Sequence, residues 1–142
     1  MYTDSVNIKK MLDAKVLVLS EEKISIDFAR YLESLPWRES GLALDWEKIS
    51  GDFLAVDSLP KGAKSNYFQN NSVLVFFFSP DECCVFCEIE FGLSNIEEIF
   101  WRAPGVRYFF GASLDSGMLK PSFKNFAEYD GLGHVRVNVS ED

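Results

Sequence analysis

The sequence predicts an α+β fold, in which an antiparallel sheet of four to six strands carries two or three helices. Three observations predict it. Apolar residues recur at helical spacing over residues 24–35, an unbroken apolar run covers residues 73–78, and valines alternate with polar residues over 134–139. A length of 142 residues without repeats or linkers is typical of one domain, so we expect residues 1–142 to form a single acidic binding domain.

A short strand and an amphipathic helix are the first predicted elements. The apolar residues 16–19 are a candidate strand, and Ser20 is a candidate helix N-cap. One face of the helix then carries Ile24, Phe28, Tyr31, Leu32 and Leu35. Pro36 ends this helix, and residues 37–51 follow as a loop with one helical turn.

The middle of the chain shows the clearest β pattern. Residues 53–56 are a candidate strand and residues 60–62 a turn. The run at 73–78 is apolar on both faces, which indicates either a central strand covered on both sides or a sheet with one aromatic outer face. A turn at 79–82 then leads into its hairpin partner, residues 83–91.

Side chains alternate along this predicted return strand. One face would carry Cys83, Val85, Cys87, Ile89 and Phe91, and the other Cys84, Phe86, Glu88 and Glu90. We expect the first face to be core and the second, half polar face to be open to solvent.

The last third of the chain adds a helix and two strands. Ser94 and Glu97 have the spacing of a capping box, which predicts a short helix. Residues 106–110 are a candidate strand, residues 122–129 one or two helical turns, and residues 134–139 a closing strand with its valines inward.

The charge balance bears on the class of partner. The formal net charge is −8, from 22 acidic and 14 basic side chains, which disfavours direct binding to nucleic acid or to anionic membranes and favours a basic protein. The first residues lack the pattern of a signal peptide, and the apolar run at 73–78 is too short to span a bilayer. We expect a cytoplasmic protein.

The three cysteines, Cys83, Cys84 and Cys87, suggest a redox pair or part of a zinc site. A spacing of three within a strand, however, places Cys84 and Cys87 on opposite faces, and a Cys3His site would need His134 and a broken strand. We therefore interpret the cysteines as structural and predict no metal and no cofactor.

Catalytic interpretations depend on the single histidine or on paired carboxylates. His134 would have to serve any serine or cysteine nucleophile as its base, and it starts a strand, where a local hydrogen bond is the usual role. Glu88 and Glu90 share a predicted strand face, but Arg107 and Arg136 on other strands would pair with them across the sheet. We predict no catalytic residues.

The distribution of charge predicts the binding residues. Between Lys64 and Arg102 the chain has no Lys or Arg, and we call residues 65–101 the cation-free segment. Its acids are Asp81, Glu82, Glu88, Glu90, Glu97 and Glu98. A second stretch combines acids with aromatic rings, and we predict Trp37, Asp45, Trp46 and Glu47 as its binding residues. Acids would attract a basic surface and exposed rings would anchor it.

These traits resemble, in kind, the immunity proteins that neutralise bacterial polymorphic and contact-dependent growth inhibition toxins. The resemblance rests on one small acidic domain without a catalytic set, and on aromatic-acidic stretches such as residues 35–39 and 45–47. It implies a cytoplasmic inhibitor that binds one basic cognate toxin domain, often a nuclease. Two alternatives are a small enzyme that uses His134 with nearby carboxylates or cysteines, and an acidic mimic of nucleic acid that binds several DNA-binding proteins.

Overall fold

A computed structural model describes residues 16–59, 67–100 and 105–140 of the chain. Over these residues one antiparallel sheet runs in the strand order β1-β4-β3-β5-β6-β7-β2. The strands are β1 (Val18–Leu19), β2 (Gly51–Ala55), β3 (Val73–Phe77), β4 (Val85–Glu88), β5 (Arg107–Asp115), β6 (Met118–Tyr129) and β7 (His134–Asn138). The helices are α1 (Glu22–Glu33), α2 (Ile89–Ser94) and α3 (Ile96–Ile99), and a 3-10 turn covers Val56–Ser58. The predicted antiparallel α+β class is therefore confirmed, with seven strands among the described residues where four to six were expected.

Both faces of the sheet are covered, which is one of the two arrangements that the apolar run predicted. The predicted solvent-open face along β4 is therefore wrong, since Cys84 is buried there in one cluster with Phe28 of α1. All residues of β3 are buried. Leu74 and Phe76 lie in a cluster on the first face, which α2 and α3 cover, and this cluster includes Phe100 and Ile96. Val73, Val75 and Phe77 lie in a second cluster with Phe28 of α1 and Leu44 and Ile49 of the following loop.

Helix α1 carries the predicted apolar stripe but a different cap. Phe28 and Leu32 are buried, and Ile24, Tyr31 and Leu35 pack around the same cluster. The N-cap position is Glu21, and the Ser20 hydroxyl donates to the Glu21 carbonyl instead of capping the helix, so the predicted Ser20 cap is wrong. The helix is held by its buried stripe rather than by a cap.

The predicted return strand 83–91 is wrong in its second half. Strand β4 ends at Glu88, and residues 89–94 form α2. Ile89, Leu93 and Ile96 then face the first cluster at helical spacing. Gly92 permits this packing, because an added Cβ would lie 3.0 Å from the Leu74 side chain. Likewise the predicted capping box at Ser94 does not form, since Asn95 is the N-cap of α3.

Residues 122–129 belong to strand β6, so the predicted helical turns there are wrong. The turn that precedes β6 explains it: Ser116 and Gly117 both have positive φ, 53° and 81°, as in a two-residue β-hairpin turn. This hairpin extends β5 to Asp115, well beyond the predicted end at residue 110. The closing strand β7 is confirmed over His134–Asn138, with Val135 and Val137 buried, but Val139 follows the strand and is exposed, so its predicted inward position is wrong. The predicted turn at 60–62 lies outside the described residues.

Candidate functional site

The acids of the cation-free segment lie at three places rather than along one strand face. Asp81 and Glu82 lie in the turn between β3 and β4, Glu88 at the far end of β4, and the remaining ones on α2 and α3. Glu88 and Glu90 therefore do not share a strand face, because the chain turns into a helix after Glu88. The predicted cross-sheet pairing with Arg136 is also wrong, since three strands, β3, β5 and β6, lie between β4 and β7 in the sheet.

Most of these carboxylates reach solvent without a cation beside them. Asp81, Glu88, Glu90, Glu97 and Glu98 are exposed. In the described parts of the chain, salt bridges join Lys48 to Asp45, Lys120 to Asp115 and His134 to Asp130, and none involves the cation-free segment. None of the salt bridges among the described residues therefore neutralises these acids.

Glu97 and Glu98 stand beside a further acid from another part of the chain. Both line a hollow of about 350 Å³, together with Asp57 of the 3-10 turn and the α2–α3 junction. All three charged residues in this lining are acidic. The position of Asp57 beside Glu97 and Glu98 was not predicted from the sequence, because it depends on the packing of the 3-10 turn against the first face of the sheet.

The two predicted tryptophans have different roles. Trp37 donates its indole N–H to the Leu32 carbonyl over 2.8 Å at the end of α1, and its backbone bridges Leu44. Trp46 lies against Gly51, where an added Cβ would be 2.5 Å from the ring, and it packs at 5.8 Å from Phe126. Both rings are partly buried, so neither is the freely exposed anchor that the sequence suggested.

The acids next to Trp46 serve partly local functions. The Asp45 carboxylate accepts a hydrogen bond from the Glu47 backbone N–H over 3.2 Å and lies 4.0 Å from Lys48 Nζ. Glu47 itself is exposed. The second predicted surface is therefore smaller than expected, with Glu47 as its open carboxylate.

A cross-strand row that the sequence analysis missed lies beneath Trp46. Tyr108, Glu128, Arg136 and Phe53 stand opposite one another on β5, β6, β7 and β2. Tyr108 Oη donates to Glu128 Oε2 over 3.2 Å, and the Arg136 guanidinium lies 5.1 Å from the Phe53 ring centre and 6.0 Å from that of Trp46. The sequence predicted helical turns for residues 122–129 and therefore did not predict this row, because only a strand places Glu128 and Phe126 on one face.

Burial controls the protonation of this row. It raises the pKa of Glu128, and the nearby Trp46 indole N–H, the hydrogen bond from Tyr108 and the Arg136 charge partly offset that effect. The pKa of Tyr108 is also raised, first by burial and then by the Glu128 charge. In this row the buried carboxyl group of Glu128 therefore lies against the protein core.

His134 contacts groups that favour a structural role. Its ring stacks on Phe53 at 5.0 Å, and Nδ1 lies 3.4 Å from Asp130 Oδ2. The other Asp130 oxygen accepts the backbone N–H groups of Leu132 and His134. Asp130 and His134 together shape the turn into β7.

Cys84 and Cys87 are separated as the strand pattern predicted, but Cys83 precedes β4 and is only partly buried, and Cys84 is buried rather than on an open face. Cys84 belongs to the second cluster and Cys87 to the first, so they lie on opposite faces of the sheet. All three cysteines are free thiols. Burial raises the pKa of Cys84 to about 11 and that of Cys87 to about 12, which keeps both protonated at neutral pH. Among the described residues no group of His, Cys, Asp and Glu is arranged to hold a metal ion.

No protein-family model, curated protein or solved structure matches this chain. In the ranges that the structure describes, no helix has the length and apolar character needed to cross a bilayer.

Proposed function

We propose that this chain is a cytoplasmic inhibitor of the immunity-protein type, which binds and neutralises a basic cognate toxin domain, in particular a nuclease. One observation carries the proposal: the exposed carboxylates of β4, α2 and α3 have no salt-bridge partner among the described residues. A nuclease needs a basic surface to hold the phosphates of its substrate. An uncompensated acidic surface is complementary to that one and competes with nucleic acid for it.

The physical role of these acids is to accelerate the encounter. Complementary long-range fields raise association rates by roughly 10- to 1,000-fold, and the gain falls steeply with ionic strength. Steering therefore suits an inhibitor that must reach its toxin before the toxin reaches nucleic acid. A nucleic-acid mimic would use the same field but would bind several unrelated DNA-binding proteins.

A growth-rescue assay tests the proposal. We would express the C-terminal domain encoded by the neighbouring gene, alone and together with this chain, and measure growth and complex formation. Rescue by a stoichiometric complex is the expected result. If that domain is harmless, or toxic but neither bound nor rescued, the proposal is wrong.

Paired substitutions locate the surface. Glu97→Gln/Glu98→Gln and Glu88→Gln/Glu90→Gln each remove two negative charges from the proposed surface, and we expect both to weaken rescue. Glu33→Gln/Glu39→Gln removes the same charge from exposed positions elsewhere and is the matched control. Equal effects of all three pairs would assign the result to net charge rather than to this surface.

A further inference from the structure

An apolar groove follows the β1 edge of the sheet. Two adjoining hollows of about 220 and 390 Å³ share Val18 and Phe86 as a common wall. Val18 stands directly opposite Phe86 in the β1–β4 pair, and Phe86 stands opposite Val75 of the buried strand β3. The floor of the groove is therefore continuous with the core.

The rim of this groove exposes large apolar side chains. Leu19 and Met118 border the first hollow, and Val16 and Leu114 border the second. Their exposed fractions lie between 42% and 62%, with Met118 the most exposed. Single exposed apolar residues are ordinary, but several around one groove are typical of an interaction site.

The charges at the groove all have one sign. Glu21 lines the first hollow and Glu88 lines the second. Among the described residues that line the two hollows, these two are the charged ones. Lys120, on the nearby β5–β6 hairpin, is engaged by Asp115 at 2.7 Å. A complementary occupant must therefore combine apolar side chains with basic ones.

We infer that this edge groove is where a partner protein anchors, through a segment that alternates apolar and basic side chains. The inference rests on the proposed function and adds the place and mode of binding. The apolar side chains of that segment would enter the two hollows beside Phe86. Its Lys or Arg side chains would meet Glu21 and Glu88. Because the groove floor is part of the packed core, the groove itself loses little conformational freedom when the segment binds.

Three short peptides test the inference with the full chain. One alternates valine and lysine, one valine and glutamate, and one serine and lysine. Calorimetric titration should show binding of the valine–lysine peptide alone. In a chain labelled with ¹³C-methyl methionine, that peptide should shift the Met118 methyl resonance, assigned with Met118→Leu. Equal binding of the serine–lysine peptide, or an unshifted Met118 signal, would overturn the groove assignment.

Substitutions at the rim provide the matched comparison. Val18→Asp and Met118→Asp should each weaken binding of the valine–lysine peptide by about tenfold or more, since they place a desolvated charge where an apolar side chain must enter. Leu132→Asp makes the same change at an exposed position between β6 and β7 and should alter affinity by less than about twofold. Circular dichroism confirms that each variant is folded, and the use of two rim positions guards against a local folding defect. Equal affinities of all three variants would contradict the inference.

Two other occupants of the groove would be detected in the protein without added peptide. A nuclear Overhauser contact between the methyl groups of Met118 and Met11 would mean that residues 1–15 of this chain fill the groove. A concentration-dependent dimer that Val18→Asp abolishes would mean that a second copy does. Either result overturns the inference. Growth rescue that survives Val18→Asp and Met118→Asp but fails in Glu97→Gln/Glu98→Gln would refute the groove and leave the proposed function intact.

Discussion

The Phe28 side chain joins α1 to the second face of the sheet, the face predicted to be open to solvent along β4. The ring is fully buried and lies 4.4 Å from the Phe110 ring centre, 5.1 Å from that of Phe77 and 5.4 Å from that of Phe123. Phe28→Ala removes this ring and leaves a cavity under the middle of the helix. Such a truncation costs about 3–5 kcal/mol, a large part of the stability of a domain of this size.

Urea denaturation and calorimetry measure this effect. We expect the free energy of unfolding to fall by about 3–5 kcal/mol and the melting temperature to fall by roughly 10–15 °C. Ile26→Ala is the control, because Ile26 lies on the same helix but is exposed, and we expect it to cost less than about 1 kcal/mol. A loss below about 1 kcal/mol for Phe28→Ala would refute the packing of α1 on this face.

Three further predictions concern buried groups. Burial raises the pKa of Glu128 from 4.5, so the folded protein binds this proton more tightly than the unfolded chain. The contribution of Glu128 to the free energy of unfolding is therefore fully present below pH 4.5 and falls as pH rises through the raised pKa. In urea denaturation, Glu128→Gln should gain stability relative to wild type as pH rises over that window, and a difference independent of pH would contradict this. Iodoacetamide at neutral pH should leave Cys84 and Cys87 unmodified in the native protein and modify both in denaturant, as mass spectrometry would show; rapid native labelling would refute their burial. Gly51→Ala should displace the Trp46 ring, cost about 1–3 kcal/mol and change the tryptophan fluorescence, and an unchanged spectrum would argue against their contact.

Strong local patterns allowed much of the fold to be predicted. The run at Val73–Phe77 has apolar residues on both faces, which predicted a strand, and the structure selects the covering of both sides over an aromatic outer face. The apolar stripe of α1 has only the helical period and the alternation of β7 has only the strand period. Each pattern therefore predicted one type of secondary structure. Where one periodicity dominates, local sequence and tertiary packing agree.

The errors fall where two periods fit the same residues. Ile89, Phe91 and Leu93 alternate as a strand would, but Ile89, Leu93 and Ile96 also repeat as a helix would, and packing against the first face selects the helix. For residues 122–129, the decisive feature was the Ser116–Gly117 turn, which commits β6 to pair with β5. This pairing is local, and the Ser116–Gly117 dipeptide is a turn signal that could have revealed the hairpin from the sequence.

The candidate site was predictable in charge but not in place. Counting Lys and Arg indicated an acidic segment, and none of the salt bridges among the described residues reaches it. The grouping of Glu97 and Glu98 with Asp57 depends on contacts between distant parts of the chain. The groove at Val18 and Phe86 depends on the pairing of β1 with β4, which the sequence does not reveal.

The most direct test of the central claim is the association rate with the neighbouring gene's C-terminal domain, measured against ionic strength. We expect the rate for the wild-type chain to fall steeply with added salt and that of Glu97→Gln/Glu98→Gln to start lower and fall less. Glu33→Gln/Glu39→Gln should behave nearly as wild type. A rate independent of salt, or equal losses for both pairs, would contradict the account that this acidic surface recognises a basic partner.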